Sequence, residues 1–279
     1  MSGENMLNHR KHTGEWELGG EVDLVAGVEV LGAGGTDAGR GLSTFWSDCP
    51  LLQLAVDPTL GVAAGDDFTS LATDGFPYDI VGANGTFVPV AAQMYGVVKG
   101  SAPGTDNDEI YVSTNNNLAG LIKADATHDW WFETRVKINQ IATAQGVFFG
   151  LSEETGTGVD FMTDDTMARK VIDGIGFQIV QATDAAAVWQ TAMWLAGGAR
   201  AAVDATAGTP TTNWVKLGMK SVSGTVTFYI DGVALDTTVA STATNFPLDQ
   251  VMQIVWASKC GSAAENSFLL DWWKAAQLV

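Results

Sequence analysis

The stretch WVKLGMKSVSGTVTFYIDGVAL, residues 214–235, decides the fold class of this chain. Apolar side chains occupy every second position in two runs, which are Val215, Leu217 and Met219, then Val226, Phe228 and Ile230. A period of two indicates a β-strand with one buried face. Asp231-Gly232 follows the second run, and this dipeptide favours a type I′ turn because both of its central positions need positive φ. The stretch therefore predicts strands that end in a tight hairpin.

The same period continues on both sides of this stretch. In WWFETRVKI, residues 130–138, one face carries Trp130, Phe132, Thr134, Val136 and Ile138, and the other carries Trp131, Glu133, Arg135 and Lys137. Further strands are predicted at 86–98, 110–113, 118–123, 147–151, 175–180, 188–195, 251–257 and 268–277. One short helix is allowed at 164–171. Roughly ten strands at this spacing are typical of an all-β, antiparallel sandwich.

Five segments carry a family resemblance. In chain order they are DWWFETRVKI, GVFFGLS, DGIGFQIV, the stretch quoted above and SFLLDWWKAAQ. This series resembles the concanavalin A-like lectin/glucanase superfamily, which includes laminin G-like modules. The resemblance implies an antiparallel jelly-roll sandwich over residues 86–279.

Residues 1–85 are predicted to form an extended N-terminal arm. Val22, Leu24, Val28 and Val30 share one face of an alternating segment, which predicts a strand, and a glycine-rich link follows at 32–41. Residues 42–85 have no clean period, but they are too apolar for a disordered linker. We expect this segment, with Phe45 and Trp46, to pack on its own β domain or on a neighbouring chain.

Composition and charge narrow the range of partners. The chain has 279 residues, only 14 Lys and Arg against 32 Asp and Glu, and a net charge of −18. Nucleic-acid binding needs clustered basic residues, so neither nucleic acid nor an anionic membrane surface is an expected partner. No apolar stretch of about 18 residues or signal-peptide core occurs, which argues against membrane insertion.

Motifs for catalysis are missing from the sequence. Glycanases of the resembled superfamily place carboxylates in an E-x-D-x-x-E strand, where one attacks and the other protonates the leaving oxygen. Glu21-Val22-Asp23 has Ala26 in the third place, and the strand at 130–138 offers only Glu133. No nucleophile elbow or phosphate loop occurs either. We therefore expect no enzyme activity and no catalytic residues.

The two cysteines, Cys49 and Cys260, are expected to be free thiols, although one long-range disulfide is an alternative.

Calcium is the cofactor that the resemblance raises. Lectins of the superfamily often use it, and it needs oxygen ligands from acidic loops. Two acidic clusters qualify, Asp106, Asp108 and Glu109, and Asp160, Asp164 and Asp165. Neither has EF-hand spacing, so solvated loops are the favoured interpretation and no metal ligand is assigned. His9, His12 and His128 are expected to be solvated tail or turn residues.

Three tryptophans are candidates for contact with glycans. Trp131 lies on the face opposite the predicted core, and Trp194 and Trp273 are candidates for the same position. An exposed indole ring is a good platform for a sugar. Burial in the core or under a covering segment remains the favoured alternative for each of them.

The arm suggests a role in an assembly. A jelly roll behind an ordered arm, with low charge and abundant Gly, Ala and Thr, resembles tailed-phage virion proteins such as capsid decoration (cement) proteins. The resemblance implies a non-enzymatic, homo-oligomeric virion protein assembled in the host cytoplasm. It would bind the major capsid protein or other virion proteins through Val22, Leu24, Val28, Val30, Phe45 and Trp46. The alternative is a carbohydrate-binding, lectin-like module of a phage tail, a fibre or a bacterial surface protein.

Overall fold

The computed structural model of the protein describes residues 9–12, 15–18, 40–69, 78–82, 85–91, 96–114, 121–153, 161–170, 172–183, 186–196, 201–248 and 250–279. Helical structure within these ranges consists of a 3-10 helix, Thr44–Asp48, and α1, Leu51–Val56. The strands are β1 His9–His12, β2 Glu15–Leu18, β3 Gly61–Asp66, β4 Tyr78–Val81, β5 Thr86–Pro89, β6 Val98–Ala102, β7 Glu109–Thr114, β8 Ile122–Lys123, β9 Trp130–Ile138, β10 Gln145–Ser152, β11 Gly174–Gln181, β12 Trp189–Trp194, β13 Ala201–Gly208, β14 Val215–Val222, β15 Thr225–Ile230, β16 Val233–Ala240, β17 Val251–Cys260 and β18 Asn266–Leu278.

Sixteen of these strands form two antiparallel sheets of eight strands each. Sheet I has the order β13-β12-β11-β10-β17-β7-β4, with β8 paired to β17. Sheet II has the order β16-β15-β14-β9-β18-β6-β5, with β3 paired to β18. Strands that are distant in sequence are neighbours in both sheets, as in a jelly roll. The predicted all-β, antiparallel sandwich is confirmed.

The main core lies between the two sheets and follows the alternation read from the sequence. From β9, Trp130, Phe132, Val136 and Ile138 enter this core, whereas Trp131 packs on the opposite face of sheet II. Edge-on aromatic contacts join the sheets, for example between Phe177 and Phe228, with ring centroids 5.6 Å apart. Burying one such side chain contributes about 2–3 kcal/mol, so the aromatic pairs are a large part of the stability.

Local structure follows the turn chemistry. Asp231 and Gly232 have φ values of 50° and 77° and join β15 to β16, which confirms the predicted hairpin.

Other elements differ from the prediction. The strand predicted at 86–98 is divided into β5 and β6. The predicted helix at 164–171 is wrong, because Met162 bridges to Arg169 across a turn. β13, with the sequence AAVDATAG, was not predicted because it carries little apolar surface.

The segment before residue 86 contributes to both sheets. β3 pairs with β18 at one side of sheet II, and β4 pairs with β7 at the edge of sheet I. Phe45 and Trp46 are buried against the outer face of sheet II. The described residues of the segment 42–85 pack on the protein's own β domain, which is one of the two predicted alternatives, and β3 and β4 belong to its sheets although they precede residue 86.

The first part of the predicted arm is described only in part. β1 and β2 pair with each other as a two-stranded hairpin. Val22, Leu24, Val28 and Val30 lie outside the described residues. Cys49 and Cys260 are both free thiols, and Cys260 is buried. Within the described ranges, no helix is both long and apolar enough to span a bilayer.

Candidate functional site

The outer face of sheet II is crossed by residues 40–57, which we call the strap. Phe45 of the strap stacks on Tyr229 of β15 with ring centroids 4.2 Å apart. Gly218 of β14 makes this contact possible, because a Cβ at that position would lie 2.6 Å from the Phe45 ring. The strap therefore packs on Tyr229 and Trp131 of sheet II, and the missing side chain at Gly218 leaves room for the Phe45 ring.

A buried carboxylate fastens the strap to β9. Glu133 is fully buried and accepts hydrogen bonds from the Ser43 backbone N–H at 3.0 Å, the Ser43 hydroxyl and the Trp46 Nε1–H at 2.9 Å. Desolvation raises the pKa of Glu133 from 4.5 to about 6, and these donors and the Lys216 ammonium oppose that rise. The alternation in β9 predicted that Glu133 faces away from the core. Its hydrogen-bond partners could not be predicted from the sequence, because they lie 87 and 90 positions away in the chain.

A chain of charged groups runs from the strap to the edge of the sandwich. Arg40 Nε donates to both carboxylate oxygens of Asp271, at 2.7 and 2.9 Å. Arg135 donates to the same carboxylate and places its guanidinium 4.6 Å from the centre of the Trp214 ring. Asp271 therefore binds both Arg40 of the strap and the arginine that lies against the Trp214 ring.

The three predicted glycan-contact tryptophans have no open ring face. Trp131, Trp194 and Trp273 are each at most 1% exposed. Trp131 lies under the strap and donates to Asp48 at 2.9 Å, and Trp273 lies in the main core and donates to the Tyr78 hydroxyl at 2.8 Å. The structure corrects their proposed role in glycan contact. Trp131 and Trp194 are buried under covering segments, and Trp273 is buried in the main core.

The cover over Trp194 is a second segment, residues 161–170, on the outer face of sheet I. Arg169 is buried there, with its guanidinium 4.6 to 5.0 Å from the ring centres of Phe148, Phe161 and Trp194. It also donates to the backbone carbonyls of Ile172 and Asp173 at 2.7 and 2.8 Å. A cation enclosed by aromatic rings thus holds this segment on the sheet.

The two acidic clusters considered for calcium converge on a lysine. The Lys259 ammonium is buried and lies 3.3 Å from Glu109 and 2.8 Å from Asp164. Asp165 and Asn107 exchange two hydrogen bonds beside it. The described residues contain no group of three or more His, Cys, Asp or Glu placed to hold a metal ion, and Asp160 lies outside them. Lys259 therefore pairs with one acidic side chain from each cluster, Glu109 and Asp164.

An open cleft lies between β12–β13 of sheet I and β14–β16 of sheet II. Its volume is about 280 Å³. The lining side chains that carry its chemistry are Trp189, Thr209, Thr211, Trp214, Asp231 and Val233. Trp214 and Asp231 are partly exposed, whereas Thr209 and Thr211 are exposed. Aromatic surface and hydroxyl or carboxylate groups therefore meet at one opening.

The polar groups of the cleft are held by the backbone. Asp231 occupies the first central position of the β15–β16 turn, and its Oδ1 accepts the Lys216 N–H at 2.9 Å. The Thr211 hydroxyl accepts the Asn213 N–H at 3.2 Å. The sequence marked Trp214 and Asp231 only as a strand residue and a turn residue. One feature of the sequence could have indicated a site at Trp214. This tryptophan occupies a position opposite the apolar face of Val215, Leu217 and Met219, and it directly follows the polar run TPTTN.

Comparison with known proteins identifies relatives by fold alone. No protein-family model matches the chain, and no curated protein matches it in sequence. A protein of unknown function from Shewanella oneidensis MR-1, SO2946, is similar with a TM-score of 0.54 and 18% identity, covering 86% of this chain and 97% of that one. Peanut lectin has a TM-score of 0.52 at 10% identity, covering 78% and 98%, and the Emp47p carbohydrate recognition domain has 0.51 at 9%, covering 80% and 98%. The fold is therefore the lectin-type jelly roll that the sequence predicted.

Proposed function

We propose that this protein is a non-enzymatic carbohydrate-binding protein whose site is the cleft between β13 and β16. The observation that carries the proposal is the partly exposed Trp214 ring beside the Asp231 carboxylate and two threonine hydroxyls. A sugar ring offers an apolar C–H face for stacking and hydroxyls for hydrogen bonds, so it matches such a lining.

The placement of these groups favours recognition over catalysis. Asp231 is the one carboxylate among the described residues that line the cleft, and glycoside hydrolysis by the usual route needs a pair. The other carboxylate considered, Glu133, is buried and engaged by Ser43 and Trp46. The lectin-type fold of the chain is consistent with this proposal but does not name a sugar.

The experiment begins with a glycan array, followed by titration of the best ligand by calorimetry. Trp214→Ala should weaken binding at least tenfold by removing the stacking surface, and Trp214→Phe should retain part of the affinity. Asp231→Asn should also cost at least tenfold, because a hydrogen bond to a charged acceptor is worth about 1.5–3 kcal/mol.

The matched control is Asp236→Asn, which removes the same charge from an exposed position on β16. It should bind as the wild type does. Equal binding by the Trp214→Ala and wild-type proteins, or a flat array, would count against a glycan site in this cleft.

A second candidate is the virion structural protein, for which the arm is the relevant feature. Arg40, which follows this arm in the chain, is tied to Asp271 of the sandwich. β1 and β2, the described strands in that extension, pair with each other and with no strand of the sandwich. An arm of this kind can bind a neighbouring capsid protein by adding a strand to its sheet.

Deleting residues 1–39 tests the second candidate by co-sedimentation with capsid particles. The truncated protein should stay folded but lose particle binding and oligomer formation. A deletion to residue 45 is unsuitable, because it would also remove Ser43 and Phe45 from the strap. Unchanged assembly after the shorter deletion would contradict this candidate.

A further inference from the structure

A second open space lies beneath the strap, on the side of sheet II opposite the core. This cavity has a volume of about 500 Å³, within the size range of small-molecule sites. The start of the strap, α1, the end of β3 and the middle of β18 line this open cavity. The lining residues that matter here are Arg40, Leu42, Leu51, Asp66, Trp272 and Lys274.

Most charged groups in this cavity are already engaged within the protein. Arg40 is paired with Asp271. Asp66 accepts the Phe68 N–H at 2.8 Å and the Tyr78 hydroxyl at 2.9 Å. Asp67, at the exposed rim, accepts the Thr69 N–H and hydroxyl with one oxygen, at 3.2 and 2.8 Å. These internal bonds leave Lys274 as the candidate for recognising a ligand.

Lys274 is partly buried on β18 and makes no ion pair with a described residue. Desolvation lowers the pKa of its ammonium, and an anionic partner would reverse that effect. Gly65 of β3 gives the side chain its path, because a Cβ there would lie 2.7 Å from Lys274 Cδ. The absence of a side chain at position 65 thus allows Lys274 to extend over β3.

We propose that this cavity is a binding site for a small organic carboxylate with an apolar body. The carboxylate would pair with the Lys274 ammonium, and the apolar body would contact Leu42, Leu51 and Trp272. The ammonium can form charge-assisted hydrogen bonds to the carboxylate, and the partial burial of Lys274 makes them stronger than in bulk water. The site is separate from the cleft at β13 and β16, so it does not depend on the carbohydrate proposal.

The test is calorimetric titration of the full-length protein with benzoate, benzyl alcohol and benzylamine, which share a ring and differ in charge. Benzoate should bind saturably and at least tenfold more tightly than the alcohol and the amine. The Lys274→Met variant, which keeps a side chain of similar length, should bind benzoate at least tenfold more weakly than the wild type. The Lys274→Arg variant, which keeps the positive charge, should retain most of the affinity.

The control for net charge is Lys123→Met, whose side chain is 44% exposed, pairs with Asp125 and does not line the cavity. It should bind benzoate as the wild type does. Gly65→Ala, by displacing the Lys274 side chain, should weaken benzoate binding while the melting temperature reports its effect on folding. Preference for benzylamine over benzoate, equal affinity in Lys274→Met, or no saturable binding of benzoate at about 10 mM would each overturn the proposal.

Discussion

Ser43 and Glu133 lie 90 positions apart in the chain, yet Ser43 donates both its backbone N–H and its hydroxyl to the Glu133 carboxylate. Trp46 adds a third donor to the same group. Three donors that converge on one fully buried carboxylate hold the strap on sheet II. Arg40 and Leu42 at the start of the strap line the cavity, and Asp271 accepts hydrogen bonds from both Arg40 and Arg135, whose guanidinium lies 4.6 Å from the Trp214 ring centre at the cleft.

The first prediction concerns the acceptor at position 133. Glu133→Ala should lower the free energy of unfolding by about 3 kcal/mol, because the Ser43 and Trp46 donors would be buried without a partner. Glu133→Gln should stay within about 1 kcal/mol of the wild type at neutral pH, because its carbonyl can accept the two N–H groups and its amide can donate to the Ser43 hydroxyl. Urea unfolding measures both values, and equal losses in the two variants would contradict the assigned hydrogen bonds.

The second prediction is a pH dependence from the same residue. The folded-state pKa of Glu133, about 6, lies above its ordinary 4.5, so the folded protein binds more protons between these values. The contribution of Glu133 is therefore fully present below about pH 4.5 and is lost as the pH rises through 6. The unfolding free energy of the wild type minus that of Glu133→Gln should therefore fall by about 2 kcal/mol from pH 4 to pH 7, because only the wild type loses this contribution. A difference that rises with pH would show that the hydrogen bonds outweigh desolvation.

The third prediction uses two glycines. Gly218→Ala places a methyl group 2.6 Å from the Phe45 ring, so Phe45 must move away from Tyr229. We expect a loss of about 1–3 kcal/mol in unfolding free energy and faster proteolysis within the strap. Gly208→Ala is the matched control, because its nearest neighbour would be 3.3 Å away. Similar behaviour of the two variants would mean that Phe45 does not depend on the space above Gly218.

The fourth prediction concerns the cation that holds residues 161–170. Arg169→Met removes the donors to the Ile172 and Asp173 carbonyls and the charge over Phe148, Phe161 and Trp194. The expected loss is about 3 kcal/mol or more, since buried acceptors are left unpaired. Amide hydrogen exchange should accelerate first in residues 161–170. Arg169→Lys should recover little, because an ammonium lacks the planar, forked donor geometry.

The Arg169 prediction needs a control for lost positive charge, and Lys123→Met supplies it from an exposed site. This variant should keep the exchange rates of residues 161–170 unchanged. Unchanged exchange in Arg169→Met as well would show that Glu109 and Lys259 alone hold the segment.

Local signals predicted the strands because they need only the neighbouring residues. β9, β14 and β15 alternate in the sequence as they do in the sheets, and Asp231-Gly232 supplies both positive φ values of its turn. The candidate glycan residues were not predictable in this way. The alternation in β9 predicts that Trp131 faces outward, but the strap, which lies 83 positions away in the chain, covers it.

The sequence by itself determined the fold class, the inner and outer faces of the best strands and the hairpin at Asp231-Gly232, because a period of two and a turn dihedral are properties of adjacent residues. The tertiary structure decided which outer faces are covered and which openings remain. It brought Glu133 to Ser43, Lys259 to Asp164 and Trp214 to the cleft beside Asp231. The first two contacts join residues at least 90 positions apart in the chain, so the burial and charge pairing that hold them depend on the assembled sheets and not on neighbouring residues.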